Sequence, residues 1–185
     1  MVLLIGPTGS GKTLILKRLQ AHNFSGKGGI ENLDDVPSTI PTVGTNIVNI
    51  ITGRRNSELT VRELGGSMAP IWNKYYKDTS AIIFVIDVSN RFQIASACIQ
   101  LLTMMSSSEV NVPVAIVFNK IDMMTVMSSS EIETVLRLDE VVESATQKVS
   151  IFSVSAKTGK NLNNLLKWIV ENYQIERPNV ESMET

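Results

Sequence analysis

Residues 6–13 read Gly6-Pro7-Thr8-Gly9-Ser10-Gly11-Lys12-Thr13, a complete G-x-x-x-x-G-K-[ST] string. An apolar run precedes it at 1–5, and Leu14 opens a second at 14–19. Strand, glycine loop and helix, in that order, make a phosphate-binding loop. Successive backbone N–H groups can wrap a β-phosphate, and the helix N-terminus adds partial positive charge. Lys12 would neutralise the β/γ oxygens, and the Thr13 hydroxyl would hold Mg²⁺. The expected ligand is a nucleoside triphosphate. The loop alone specifies neither the base nor cleavage of the γ-phosphate.

Asn119-Lys120-Ile121-Asp122 ends the apolar run 112–118. The Asp122 carboxylate can accept from both the ring N–H and the exocyclic amine of guanine. Adenine offers no matching donors and would leave that carboxylate unpaired, which is costly. Lys120 can lay its aliphatic stem along the base, and Asn119 can brace the loop backbone. A plain strand-ending turn would also explain four such residues. Ser155-Ala156-Lys157 follows the run 151–154, and the Ala156 N–H could donate to the guanine carbonyl. Three such strings, each at the carboxyl end of a strand, make a stronger signal than any one of them.

The elements that must hold these residues are legible in the periodicity. Short β-branched runs recur at 2–5, 81–86, 112–118 and 151–154, with helical patterns between them. That alternation predicts parallel strands buried on both faces. Two β-rich runs, 46–52 and 57–64, flank the turn sequence Gly53-Arg54-Arg55-Asn56 and predict an antiparallel hairpin at a sheet edge. Ser128 and Glu131 have capping-box spacing. Asn161 is the expected cap of a helix carrying Leu162, Leu165, Leu166 and Ile169 as its apolar stripe. Residues 21–40 show little periodicity and read as a mobile loop. The lone histidine, His22, reads as a solvated helix end.

With 185 residues, 43% hydrophobic and 19% charged, the chain suits one globular domain over 1–175 with a short tail, 176–185. A net charge of −1 gives no sign of a nucleic-acid partner. The single cysteine, Cys98, excludes an internal disulfide and reads as a buried small hydrophobe. No run is long enough to span a membrane, and neither a secretory signal nor a lipidation motif is visible, so a cytoplasmic location is expected.

These motifs together resemble the small GTPases of the Ras superfamily, specifically the ADP-ribosylation-factor-like (Arf-like) branch. Pro41-Thr42-Val43-Gly44 is similar to that branch's first switch. Glu63-Leu64-Gly65-Gly66 resembles its second, and residues 70–76 look like the helix that follows. The resemblance runs from residue 2 to about 173. It implies an α/β phosphate-loop NTPase fold: a mostly parallel six-stranded sheet, one antiparallel edge strand and helices on both faces. It implies GTP/GDP and Mg²⁺ as cofactors. Thr42 would close on Mg²⁺ when the γ-phosphate is present, and the Gly66 N–H would bond that phosphate. Hydrolysis would release both segments. Implied partners are an effector in the GTP state, an exchange factor and an activating protein. The implied role is in intracellular or ciliary trafficking, peripheral to a membrane through partners. Trp72 and Tyr75 read equally as sheet packing or as partner contacts.

The chain departs from the branch at several positions. Relatives carry glutamine after the two glycines, where it orients the attacking water. Here that position is Ser67, so Lys12, Thr42 and Ser67 are the candidate catalytic residues and weak intrinsic hydrolysis is expected. Glu63 stands where relatives use aspartate to reach Mg²⁺ through a water. The branch's apolar effector triad is matched by Thr45, Arg62 and Tyr75. A GTP-loaded scaffold that hydrolyses little stands as an alternative, and a phosphate-loop kinase or ATPase as a third reading, which Asn119 and Asp122 oppose.

Overall fold

The computed structural model describes residues 1–22, 38–52 and 57–173. Six strands form one sheet in the order β2-β3-β1-β4-β5-β6. They are β1 (Val2–Ile5), β2 (Thr45–Thr52), β3 (Ser57–Leu64), β4 (Ala81–Asp87), β5 (Val114–Asn119) and β6 (Val149–Ser153). Only β2 runs antiparallel, paired with β3 from Thr45↔Leu64 to Thr52↔Ser57. The other pairings are parallel. The expected sheet is therefore the one that forms. Two strands differ in their start: β5 begins later than its apolar run, because Pro113 cannot donate to a ladder, and β6 begins earlier than its run, at Val149.

Alternation along β1 divides the core. Leu3 and Ile5 face one side with Phe84, Ile86, Trp72 and the helices α2 (Ile94–Met105), α3 (Ser129–Leu136) and α4 (Leu138–Ser144). Val2 and Leu4 face the other with α1 (Lys12–His22) and α5 (Leu162–Asn172). A central strand covered on both faces needs an unbroken apolar run, which β1 supplies throughout and β4 supplies up to Asp87. The chain leaves β1 for opposite neighbours, β3 and β4, so β1 lies at a topological switch point. Ligand crevices in such sheets open at the carboxyl ends of the strands there.

Local chemistry sets the helix ends. Ser128 and Glu131 form the expected capping box, with the Ser128 N–H donating to Glu131 Oε2 at 2.8 Å. Asn161 differs from expectation. It occupies the N-cap position at φ 63°, yet its side chain makes no cap bond. Its Nδ2 donates instead to Ser153 O at 2.7 Å, tying α5 to the end of β6. Residues Gly66–Tyr75 wind as a 3₁₀ helix rather than an α-helix, with Pro70 inside it; proline removes one N–H from the ladder. Trp72 packs edge-on to Phe84 at 6.1 Å and donates to Gly65 O at 3.3 Å, so packing claims this ring. Cys98 is half-buried against the α2 face of the core, while its neighbour Leu102 is exposed. Most of 21–40, the hairpin turn 53–56, the His22 side chain and the tail lie outside the described residues. Among the described residues, no helix is long and apolar enough to cross a membrane.

Candidate nucleotide site

The loop between β1 and α1 closes on itself through Lys12. Its ammonium donates to Gly6 O and Pro7 O, both at 2.8 Å, and the residue is 5% exposed. Burial pulls its pKa from 10.5 down to about 8, with the nearby Glu63 carboxylate pushing the other way. Thr8 and Gly9 are exposed at the crest of the loop. Ser10 Oγ is buried and has no hydrogen-bond partner among the described residues. The Leu14 side chain packs on the α1/α5 side of the core.

Three oxygens from three segments meet beside this loop. Thr13 Oγ1 donates to Glu63 Oε1 at 2.5 Å, Thr42 Oγ1 donates to the same oxygen at 3.1 Å, and the two hydroxyls are 3.0 Å apart. Asn46 Nδ2 reaches the other carboxylate oxygen at 3.4 Å. The two hydroxyls and the carboxylate are hard oxygen donors. One carboxylate and two hydroxyls suit Mg²⁺, which typically completes its shell with phosphate and water. Among the described residues, no group of three His, Cys, Asp or Glu offers a competing metal site.

The two expected switch segments are joined to the loop and to each other. The Gly65 N–H donates to Gly44 O at 2.9 Å. Gly66 lies so close to Thr8 that a Cβ there would collide with the Thr8 backbone nitrogen. The resulting cavity is lined by Gly9, Lys12, Thr13, Thr42, Glu63 and Gly66, with Thr39 and Ile40 as further walls. Ser67 is exposed and does not line it. Arg62 lies over the Tyr75 ring, 5.4 Å from its centroid.

The second half of the site sits at the ends of β5 and β6. Asn119 Nδ2 donates to Ser10 O at 2.8 Å, and its Oδ1 accepts from the Ala156 N–H at 3.0 Å. Asn119 thus braces two loops, as expected. The Ala156 N–H, expected to face a ligand, is turned to Asn119 instead. Ser155 Oγ donates to Asp122 Oδ1 at 2.6 Å and accepts from the Thr158 N–H at 3.0 Å. Lys120 adopts a left-handed φ of 68°, and its ammonium lies 2.6 Å from the buried Asp87 carboxylate. Lys157 is exposed beside them.

Sequence reasoning missed four contributors. Asp87, at the end of β4, anchors Lys120. Gln93 Nε2 donates to Thr8 O at 3.0 Å from the start of α2. Asn46 touches Glu63, and Arg18 reaches the 156–157 segment from α1. Asp87 carried a signal, since it ends an apolar strand just where the other site residues do. The other three are ordinary polar residues until the fold brings them in.

A sequence model of the ADP-ribosylation factor family matches residues 1–173. The chain belongs to the ADP-ribosylation factor family. Among its curated relatives, human ADP-ribosylation factor-like protein 16 is 41% identical over 170 residues, covering 91% of this chain and 84% of the relative. ADP-ribosylation factor-like protein 1 of Saccharomyces cerevisiae is 34% identical, covering 92% and 85%. A solved structure of the Arl6 BBS3 small GTPase from Trypanosoma brucei, with bound nucleotide analogue GppNp, superposes with a TM-score of 0.74 at 22% identity. That match covers 92% of this chain and 94% of the other, and it shows the shared fold. This chain is accordingly an Arf-like small GTPase with a phosphate-loop fold.

Proposed function

We propose that this Arf-like chain is a guanine-nucleotide switch that holds GTP with Mg²⁺, recruits an effector in that state and hydrolyses GTP slowly by itself. The observation that carries the reading is the meeting of Thr13, Thr42 and Glu63, because it links the phosphate loop to both switch segments. Gly66 against Thr8 supplies a second link. Thr13, Thr42 and Glu63 would hold Mg²⁺, which supplies charge neutralisation at the β/γ oxygens. The loop residues 6–14 and Lys12 hold the phosphates. Asp122 reads the base edge, Lys120 flanks the base, and Asn119 with Ser155, Ala156 and Lys157 holds that reading surface in place.

Ser67 supports weak hydrolysis. Its hydroxyl is short, the residue is exposed, and it stands outside the cavity that Gly66 lines. The same observation favours a second reading, a GTP-loaded scaffold. Family membership supports a trafficking role near a membrane or cilium, reached through an effector, an exchange factor and an activating protein. Chromatographic identification of the co-purifying nucleotide tests the core claim, with GTP or GDP expected. Recovery of adenine nucleotide alone would overturn it. Effector capture that is equal from GTP- and GDP-loaded protein would favour the scaffold.

A further inference from the structure

Helix α1 carries Lys12 and Thr13 at its first turn and Arg18 near its middle. Arg18 is 1% exposed, a rare place for a guanidinium. Its Nε donates to Ala156 O at 3.2 Å and its Nη2 to Lys157 O at 2.5 Å. These are successive carbonyls, 138 and 139 residues away in the chain. A planar fork suits such a pair, whereas a lysine ammonium lacks the fixed geometry.

We infer that Arg18 is a positioning residue for base recognition, turning the 156–157 peptide so that the Lys157 N–H faces the 6-oxygen of guanine. The assignment rests on the guanine-nucleotide reading above. In a planar trans peptide the C=O and the following N–H point in opposite directions. Arg18 holds the Ala156 C=O toward α1, so the Lys157 N–H points away from α1. The Ala156 N–H is already committed to Asn119 Oδ1 at 3.0 Å. Lys157 therefore offers the 6-oxygen donor that Ala156 was expected to provide. Because one helix holds both the phosphate residues and this anchor, α1 also sets the span between the phosphate and base ends of the site.

The test is competition of GDP and 6-thio-GDP against a fluorescent GDP analogue, with wild type, R18K and R18A. The thio analogue keeps the ring N–H and the amine that Asp122 would read, and weakens only the 6-position acceptor. Wild type is expected to prefer GDP by roughly fivefold or more, the worth of one ordinary hydrogen bond. R18A is expected to bring that ratio close to one, with R18K between. Circular dichroism checks the fold, and R18K decides if R18A does not fold. A wild-type ratio near one, or a ratio unchanged in the folded variants while both affinities fall together, overturns the assignment alone. Failure of wild type to bind GDP overturns the guanine reading as well.

Discussion

Thr13 donates a 2.5 Å hydrogen bond to Glu63, across 50 positions of the chain. This bond joins the helix after the phosphate loop to the end of β3, where the second switch segment begins. Glu63 is 1% exposed, so its carboxylate depends on the few partners it has. Glu63→Asp withdraws it by one methylene, and Glu63→Gln removes its charge. Both variants are expected to need several-fold more Mg²⁺ for the same rate of nucleotide retention, Gln the more severely. Fluorescent-GDP dissociation measured across a Mg²⁺ titration checks this. Unchanged curves in both variants would remove Glu63 from the metal site.

Ser67 offers a gain-of-function measurement. Ser67→Gln restores a side chain able to orient water beside Gly66. Single-turnover release of labelled phosphate should rise by roughly tenfold or more, with GTP affinity unchanged. An equal rate would show that hydrolysis is limited elsewhere on the surface.

Gly11 couples the two halves of the site. It sits at φ 94°, and a Cβ there would run into the Asn119 amide. Gly11→Ala should displace the Asn119 bond to Ser10 O and strain the backbone, costing about 1–3 kcal/mol. Chemical denaturation should show that loss, together with weakened nucleotide binding. Retention of both at wild-type levels would contradict the tight approach.

Glu131 reports on the cap of α3. The Ser128 N–H, then the Ser128 hydroxyl and Arg91, hold its carboxyl below the usual 4.5. A depressed folded-state value means that this group's stabilisation is full above 4.5 and fades as pH falls through the folded value. Carbon-detected NMR titration should find Glu131 below 4.5 in the wild type. Ser128→Ala keeps the backbone N–H and removes the hydroxyl, so the value should rise part of the way toward 4.5, with a melting temperature lowered most at neutral pH. A Glu131 value unmoved by the substitution would rule out the Ser128 hydroxyl as a contributor.

Much of this was readable in the chain, for physical reasons. Strands β1 and β4 announce themselves because burial on both faces demands unbroken apolar runs. The string Gly6–Thr13 is legible because backbone contact with phosphate admits few residues. Asn161 misled because an Asx residue before an apolar stripe usually caps through its own side chain, and here tertiary contact with Ser153 O wins. Ala156 misled because its partner, Asn119, was read for one bond and makes two. Arg18 was invisible because an arginine in a helix normally reaches solvent, and only the packing of α1 against α5 brings the 156–157 carbonyls within its range.

Lys120 takes a left-handed backbone that a side chain occupies at some cost, and Asp87 from the neighbouring strand holds its far end. The pair exists because Asp87 stands opposite Asn119 in the β4–β5 ladder. On the guanine reading proposed above, alignment of the sheet is therefore itself a determinant of base recognition. Inserting or deleting one residue within β4 would leave every motif intact in the sequence, yet slip Asp87 out of phase and reverse its face. On that reading, selectivity is stored partly in the spacing of apolar residues that never meet a ligand.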